Sequence, residues 1–206
     1  PYRAAMATIA ASTRPVIKAG GGARGADAAV RALAERIGAA VVLSPGSTGV
    51  LPDSHPQNMH VGGSKGSISG NFAMENADLL IAIGTRGVCQ ADCSGVGYPQ
   101  ARAVININGD LNDLMHYANT TGLAGDIATV IGRLLEEMAT SDAINPADRS
   151  RWLAETAARK AEWTAFKAAR FAAPPLADPV WGRPVLTQPA AIKIAADYAR
   201  SRDAAK

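Results

Sequence analysis

Six consecutive residues, Gly20-Gly21-Gly22-Ala23-Arg24-Gly25, carry the spacing GxGxxG used by turns that cradle phosphates. Glycine lets the backbone come close to a pyrophosphate, and a helix opening at Ala26 would aim its N-terminal amides and dipole at that charge. The flanks fit such a turn. Val16 to Ala19 is apolar except for Lys18 and predicts a strand, while Val30, Leu33, Ala34 and Ile37 recur at helical spacing. Gly38 stands where a helix end favours positive φ, and Ala39 to Leu43 reads as a second strand buried on both faces. Right-handed crossover makes the two strands of this βαβ unit parallel. A full dinucleotide fingerprint also needs an Asp or Glu at the end of the second strand to hold ribose hydroxyls. Ser44-Pro45-Gly46 occupies that place. Two readings stand, a phosphate cradle or a tight strand-to-helix turn, and the missing acid weighs toward the turn.

Other residues of chemical interest sit in settings that favour structure. Asp53 and His55 lie between Pro52 and Pro56, where a turn or cap is the expected role. Cys89 and Cys93, the only cysteines, lack the second pair or nearby histidine of a zinc site and read as free thiols. Trp152, Trp163 and Phe166 fall near one face of a long helix, a pattern more often used for packing than for stacking a cofactor. Glu155 and Arg159 are spaced for a weak surface ion pair.

Composition narrows the classes. With 48% hydrophobic but 5% aromatic residues, the core must be built from Ala, Val, Ile and Leu. A net charge of +3, with no basic stripe interleaved with aromatics on the glycine-rich part, argues against nucleic acid. No apolar run is long enough to span a membrane, and PYRAAMATIAAS lacks the apolar core of a signal peptide, so a cytoplasmic protein is expected. The start without Met points to a piece of something longer.

The elements that must position these residues follow in order. Pro1 to Ser12 predicts a short helix, and Ser44 to Ser67 a long glycine- and proline-punctuated loop. Ser67 to Asn76 is helical, with Ile68, Phe72 and Met74 as core contacts. Asp78 to Gly84 is a buried strand, Thr85 to Pro99 a second long loop, and Ala103 to Asn108 another strand leading into Gly109-Asp110-Leu111. Thr120 to Ala124 supplies a last strand, and Asp126 caps a helix from Ile127 to about Met138. Asn145 and Pro146 open a helix to about Phe171, Ala172 to Pro184 is a proline-rich extended connector, and a new helix is capped near Thr187. The order specifies an α/β fold: a doubly wound, mostly parallel Rossmann-like sheet of five or six strands with helices on both faces. Loops after Ala19, Gly84 and Asn108 should converge at the carboxyl edge.

RPVIKAGGG, LPDSHP, GNFAMENADLLIAIGTR, VININGD and GDIATVIGRLLEEM, in that order, resemble the central domain of thiamine-diphosphate-dependent enzymes of the acetolactate synthase type over about Arg14 to Met138. Asn71-Phe72-Ala73 with ADLLIAIGTR and NIN is also similar to the trihydroxycyclohexanedione hydrolase branch, which cleaves a ring carbon–carbon bond. The resemblance implies that the fold is of the DHS-like NAD/FAD-binding type, with a preceding helix over 1–13, a central domain over 14–139, a linker over 140–186 and the start of a catalytic domain over 187–206. It implies thiamine diphosphate and magnesium bound outside this chain, by N- and C-terminal domains of a parent enzyme that is a homodimer or homotetramer acting on 2-oxo acids or cyclic diones. The chain itself would carry no catalytic residue.

Some members bind FAD or ADP in this domain, and the resemblance matches Arg86 and Asp110 to their nucleotide-facing positions; with Gly20 and Gly22 of the glycine turn these make a candidate nucleotide crevice, while a module sensing ADP or another anion would use Arg24, Lys65 and Arg86. Three positions depart from the flavin binders: Lys65 replaces a histidine, Val88-Cys89-Gln90 replaces an acidic stretch ending in arginine, and Asn108 replaces the first of two acids. An ADP- or FAD-binding module is the alternative function, and an NAD-dependent oxidoreductase a more distant one.

Overall fold

The computed structural model describes residues 1–87, 97–115, 117–141 and 143–203. The chain divides into two compact units, Pro1–Lys160 and Ala161–Lys206. In the first, α1 (Tyr2–Ala11) leads into β1 (Pro15–Ala19), α2 (Asp27–Ile37), β2 (Ala40–Leu43), β3 (Asn58–Val61), α3 (Ile68–Asn76) and β4 (Leu79–Ile83). Then come β5 (Ala103–Asn108), a short α4 (Leu111–Leu114), β6 (Thr120–Ala124), α5 (Ile127–Ala139) and α6 (Ser150–Phe171), whose residues after Lys160 are counted with the second unit. The six strands form one sheet in the order β3-β2-β1-β4-β5-β6, and every pairing is parallel. This is the expected doubly wound sheet.

Side chains alternate across each strand, so one sequence feeds two cores. Ile17 and Ala19 of β1 join the layer of α1, α2 and α5, where Ile9, Leu33, Ile37, Ile131 and Leu134 are buried. Val16 faces the other layer, with Met59, Ala73, Met74 and Trp152. Ile68 and Phe72 are half-buried, and Phe72 stacks on Trp152 at 6.1 Å between ring centres. Trp152 is thus a packing residue, and its indole nitrogen donates to the Pro15 carbonyl at 3.1 Å. Gly38 closes α2 with φ 61° and ψ 39°, the left-handed cap expected of it.

The interior of β1 holds one cation. Lys18 is fully buried, and its ammonium donates to the carbonyls of Leu43 and Gly62, each at 3.2 Å. Those bonds offset the cost of burying the charge and tie the ends of β2 and β3 to the sheet's centre.

β3 corrects the expectation of an uninterrupted loop from Ser44 to Ser67. Its four residues, Asn-Met-His-Val, show no clear alternation, and its register against β2 shifts between Val41 and Leu43. Side chains hold it in place: Asn58 Nδ2 donates to Leu51 O and Pro52 O, and Asn58 Oδ1 accepts from the His60 amide at 2.7 Å. His60 adopts φ 63°, a turn-like value inside a strand.

Two side chains fasten the amino-terminal helix to distant sequence. Arg149, 2% exposed, donates to the carbonyls of Ile9 and Ser12 at 2.8 and 3.0 Å, satisfying the open end of α1. The Asp78 carboxylate accepts from the Ser12 and Thr13 hydroxyls and from the Thr13 and Arg14 amides, at 2.6 to 2.9 Å. Arg36 does the same service for α5, donating to Met138 O, Ser141 O and Ile144 O.

In the second unit, Trp163 and Phe166 stack at 5.5 Å. The proline-rich stretch is not an extended connector throughout. β7 (Leu176–Asp178) and β8 (Arg183–Val185) pair antiparallel. Asp178 Oδ1 accepts from the Val180 and Trp181 amides, and Gly182 turns with φ 61°. α7 (Gln188–Asp203) follows, with Thr187 Oγ1 accepting from the Ala190 amide. On α6, Glu155 pairs with Arg151 at 2.9 Å, while the Arg159 guanidinium lies over the Phe72 ring.

Partial burial acts to raise the Asp78 pKa, but the bonds from Ser12, Thr13 and Arg14 outweigh it and hold the carboxyl below its ordinary value. A depressed folded pKa means that its stabilisation is present above the unfolded value and lost as pH falls through the folded one. Asp78→Ala should cost about 2 kcal/mol in urea unfolding at pH 7. The difference from wild type should shrink as the pH is lowered below the ordinary carboxylate range; a pH-independent difference would contradict this account.

Candidate functional site

Strand order reverses between β1 and β4, and the loops leaving their carboxyl ends part there, as switch-point geometry requires. The expected convergence is observed. Gly20, Gly22, Gly84, Thr85, Arg86 and Asn108 line one crevice of about 480 Å³, with Ser44 and Gly46 opposite. Asp110 and Arg24 lie in an adjoining hollow of about 410 Å³, which shares Gly22, Gly84 and Asn108 with the first. Of the four residues singled out, Gly20, Gly22 and Arg86 therefore meet, and Asp110 stands next door. Lys65 lines neither.

The glycines are demanded by the backbone itself. A Cβ on Gly20 would sit 2.3 Å from Gly84 O and 2.6 Å from Thr85 Cα; one on Gly84 would sit 2.7 Å from the Gly22 carbonyl carbon. Gly84 also has φ 56°, a left-handed value that favours glycine. The two turns touch main chain to main chain, with Gly20 N donating to Ile83 O at 2.8 Å and Gly22 N to Gly84 O at 3.0 Å.

Two asparagines on one face of β5 hold the other wall. Asn106 Nδ2 donates to Asp113 O and Leu114 O, both at 2.8 Å, fixing α4. Asn108 Nδ2 donates to Thr85 O at 3.1 Å, and its Oδ1 accepts from the Asp110 amide at 3.1 Å. The Asp110 carboxylate in turn caps α4 through the Asn112 amide at 2.9 Å. Arg86 is exposed at the rim. The NIN spacing quoted from the sequence, Asn106-Ile107-Asn108, places both amides on one face of the strand.

Asp53 and His55 do not pair with one another. His55 Nε2 lies 3.0 Å from Glu35 Oε1, and Asp53 Oδ1 lies 3.6 Å from His60 Nδ1. Cys89 and Cys93, and the stretch from Val88 to Gln90, lie outside the described residues. Among the described residues no group of three or more His, Cys, Asp or Glu is placed to share a metal ion. Gly109-Asp110-Leu111, with its carboxylate spent on a helix cap, does not fit a magnesium–diphosphate group. No helix among the described residues is long and apolar enough to cross a membrane.

A parallel sheet in this order, with a crevice at its switch point, defines a doubly wound α/β domain of the Rossmann-like class. The family model "Thiamine pyrophosphate enzyme, central domain" matches residues 2–134, and the chain belongs to that family. It is 42% identical over 86 residues to the acetolactate synthase of Mycobacterium bovis, a match covering 41% of this chain and 14% of that protein. It is 31% identical over 149 residues to the acetolactate synthase of Mycobacterium avium, covering 71% of this chain and 24% of the relative. The acetolactate synthase large subunit of Corynebacterium glutamicum is 32% identical over 152 residues, covering 72% and 24%. In these three matches the chain spans no more than 24% of the relatives' length.

The contact between the two turns discriminates between neighbouring glycines. Gly20→Ala should lose roughly 3 kcal/mol or more of stability, because the new methyl meets backbone that cannot move aside. Gly21→Ala, whose Cβ finds its nearest neighbour at 3.9 Å, should melt within a few degrees of wild type. Equal losses in thermal melts of the two variants would contradict the contact.

Proposed function

We propose that this chain serves as the structural central domain of a thiamine-diphosphate-dependent enzyme of the acetolactate synthase type, acting on 2-oxo acids or cyclic diones. It holds the flanking catalytic domains in register and contributes no catalytic residue of its own. The family match over residues 2–134, with acetolactate synthases as relatives, carries this reading. In the parent enzyme, thiamine diphosphate supplies the carbanion chemistry and magnesium holds its diphosphate, both bound by domains outside this chain. The site geometry is consistent with that division of labour, since the side chains of the crevice are engaged mainly with neighbouring loops. The parent is proposed to be a cytoplasmic homodimer or homotetramer.

Two measurements test the proposal. Titration of the chain with thiamine diphosphate and Mg²⁺ should give no binding heat. Residues 2–134, exchanged for the matching segment of the Corynebacterium glutamicum large subunit, should support acetolactate formation within about tenfold of the parent protein, a barrier change of about 1.4 kcal/mol. Binding of the cofactor by the isolated chain, or a folded chimera without activity, would overturn it.

A further inference from the structure

Open parallel sheets bind ligands at the switch point through free amides of the glycine turn, the dipole of the following helix and an acid at the end of the second strand. Here those three resources are differently employed. The amides of Gly20, Gly22, Ala23 and Arg24 donate to Ile83 O, Gly84 O, Gly20 O and Gly21 O, at 2.8 to 3.3 Å. The first turn of α2 carries the carboxylate of Asp27, which already complements the dipole. β2 is followed by Ser44, whose amide donates to Ser47 Oγ at 2.9 Å, and that hydroxyl donates to Ala19 O at 2.7 Å, so the second turn is bonded to the end of β1.

The opposite wall is bonded in the same manner. Asn108 is 7% exposed and uses both ends of its amide, donating to Thr85 O and accepting from the Asp110 amide. A carboxylate at this position could not donate to the Thr85 carbonyl. Asparagine therefore links the loop after β4 to the loop after β5, while Gly20 and Gly22 link the β1 loop to the same β4 turn.

We infer that the switch-point crevice of this chain is a loop-to-loop joint, with Asn108 as its central bridge, and is not a dinucleotide site. The inference rests on the structural-domain reading above and assigns the work of the crevice: it joins the starts of three loops at the carboxyl edge, through Gly20 and Gly22, Gly84 and Thr85, and Asn108 and Asp110. Occupation by the ribose or pyrophosphate of a nucleotide would require these internal bonds to be exchanged for ligand bonds.

Amide hydrogen exchange of the whole chain, read residue by residue by NMR, tests the bridge. In wild type the Asp110 amide should be protected. In Asn108→Ala it should exchange about tenfold faster or more, the loss expected for one hydrogen bond, while the β1 and β4 amides stay protected. Arg86→Ala, which alters an exposed side chain at the rim, should leave the Asp110 rate unchanged. ADP and FAD, added to wild type to about 1 mM, should shift no crevice resonance, since a site of micromolar affinity would be saturated there. Saturable shifts at Gly20, Gly22 or Asn108, or an Asp110 amide that exchanges as fast in wild type as in Asn108→Ala, would overturn the joint. Neither result bears on the chimera measurement, so the two proposals fail separately.

Discussion

Everything at the carboxyl edge depends on the approach of two backbones with no side chain between them. Gly20 and Gly22 on one side, Gly84 and Thr85 on the other, sit too close for a Cβ at Gly20 or Gly84. The central strands β1 and β4 are neighbours along their whole register, from Pro15 opposite Leu79 to Ala19 opposite Ile83, and the chain must leave both at the same level. Glycine solves a packing problem there first. Whether phosphate chemistry could be added depends on which amides remain unspent, and the carbonyls of Ile83 and Gly84 take those of Gly20 and Gly22.

The same economy explains which parts of the molecule the sequence announces. β1, β2, β4 and β5 are buried strands of branched aliphatic residues, and burial on both faces writes itself as an apolar run. α2 and α5 carry apolar residues at helical spacing, and Gly38, Ser67 and Asp126 mark their ends or the start of α3 by chemistry that varies little between proteins. β3 is held by Asn58, whose amide bonds main-chain atoms of the preceding loop and of His60, and by Lys18, which reaches Gly62 O from β1, so no strand periodicity encodes it. The β7–β8 hairpin hid behind its prolines, although Asp178 and Gly182 are turn residues that could have betrayed it.

The candidate site was legible as a place and less so as a mechanism. Spacing gave the glycine turn, and topology gave the convergence of three loops, because both follow from short-range pattern and the handedness of βαβ units. The partners of the amides are long-range facts. GxGxxG is written alike whether its amides face a ligand or a neighbouring carbonyl, and Asn108 shows only in three dimensions that it spans from Thr85 to Asp110. Family membership is visible in the sequence as well, and the chain spans no more than 24% of the length of these three relatives.

Arg149 carries a consequence for the order of folding. Its guanidinium reaches Ile9 O across 140 residues of sequence and Ser12 O across 137. α1 precedes the whole sheet in the chain, yet the cap on its carbonyl end comes from a residue that follows the sheet and α5, in the turn before α6. A contact of such separation closes late, since its loop entropy is recovered only when intervening structure has shortened the path. During synthesis α1 is therefore a nascent helix awaiting its last partner, and the final consolidation of the first unit belongs to one buried arginine near its end.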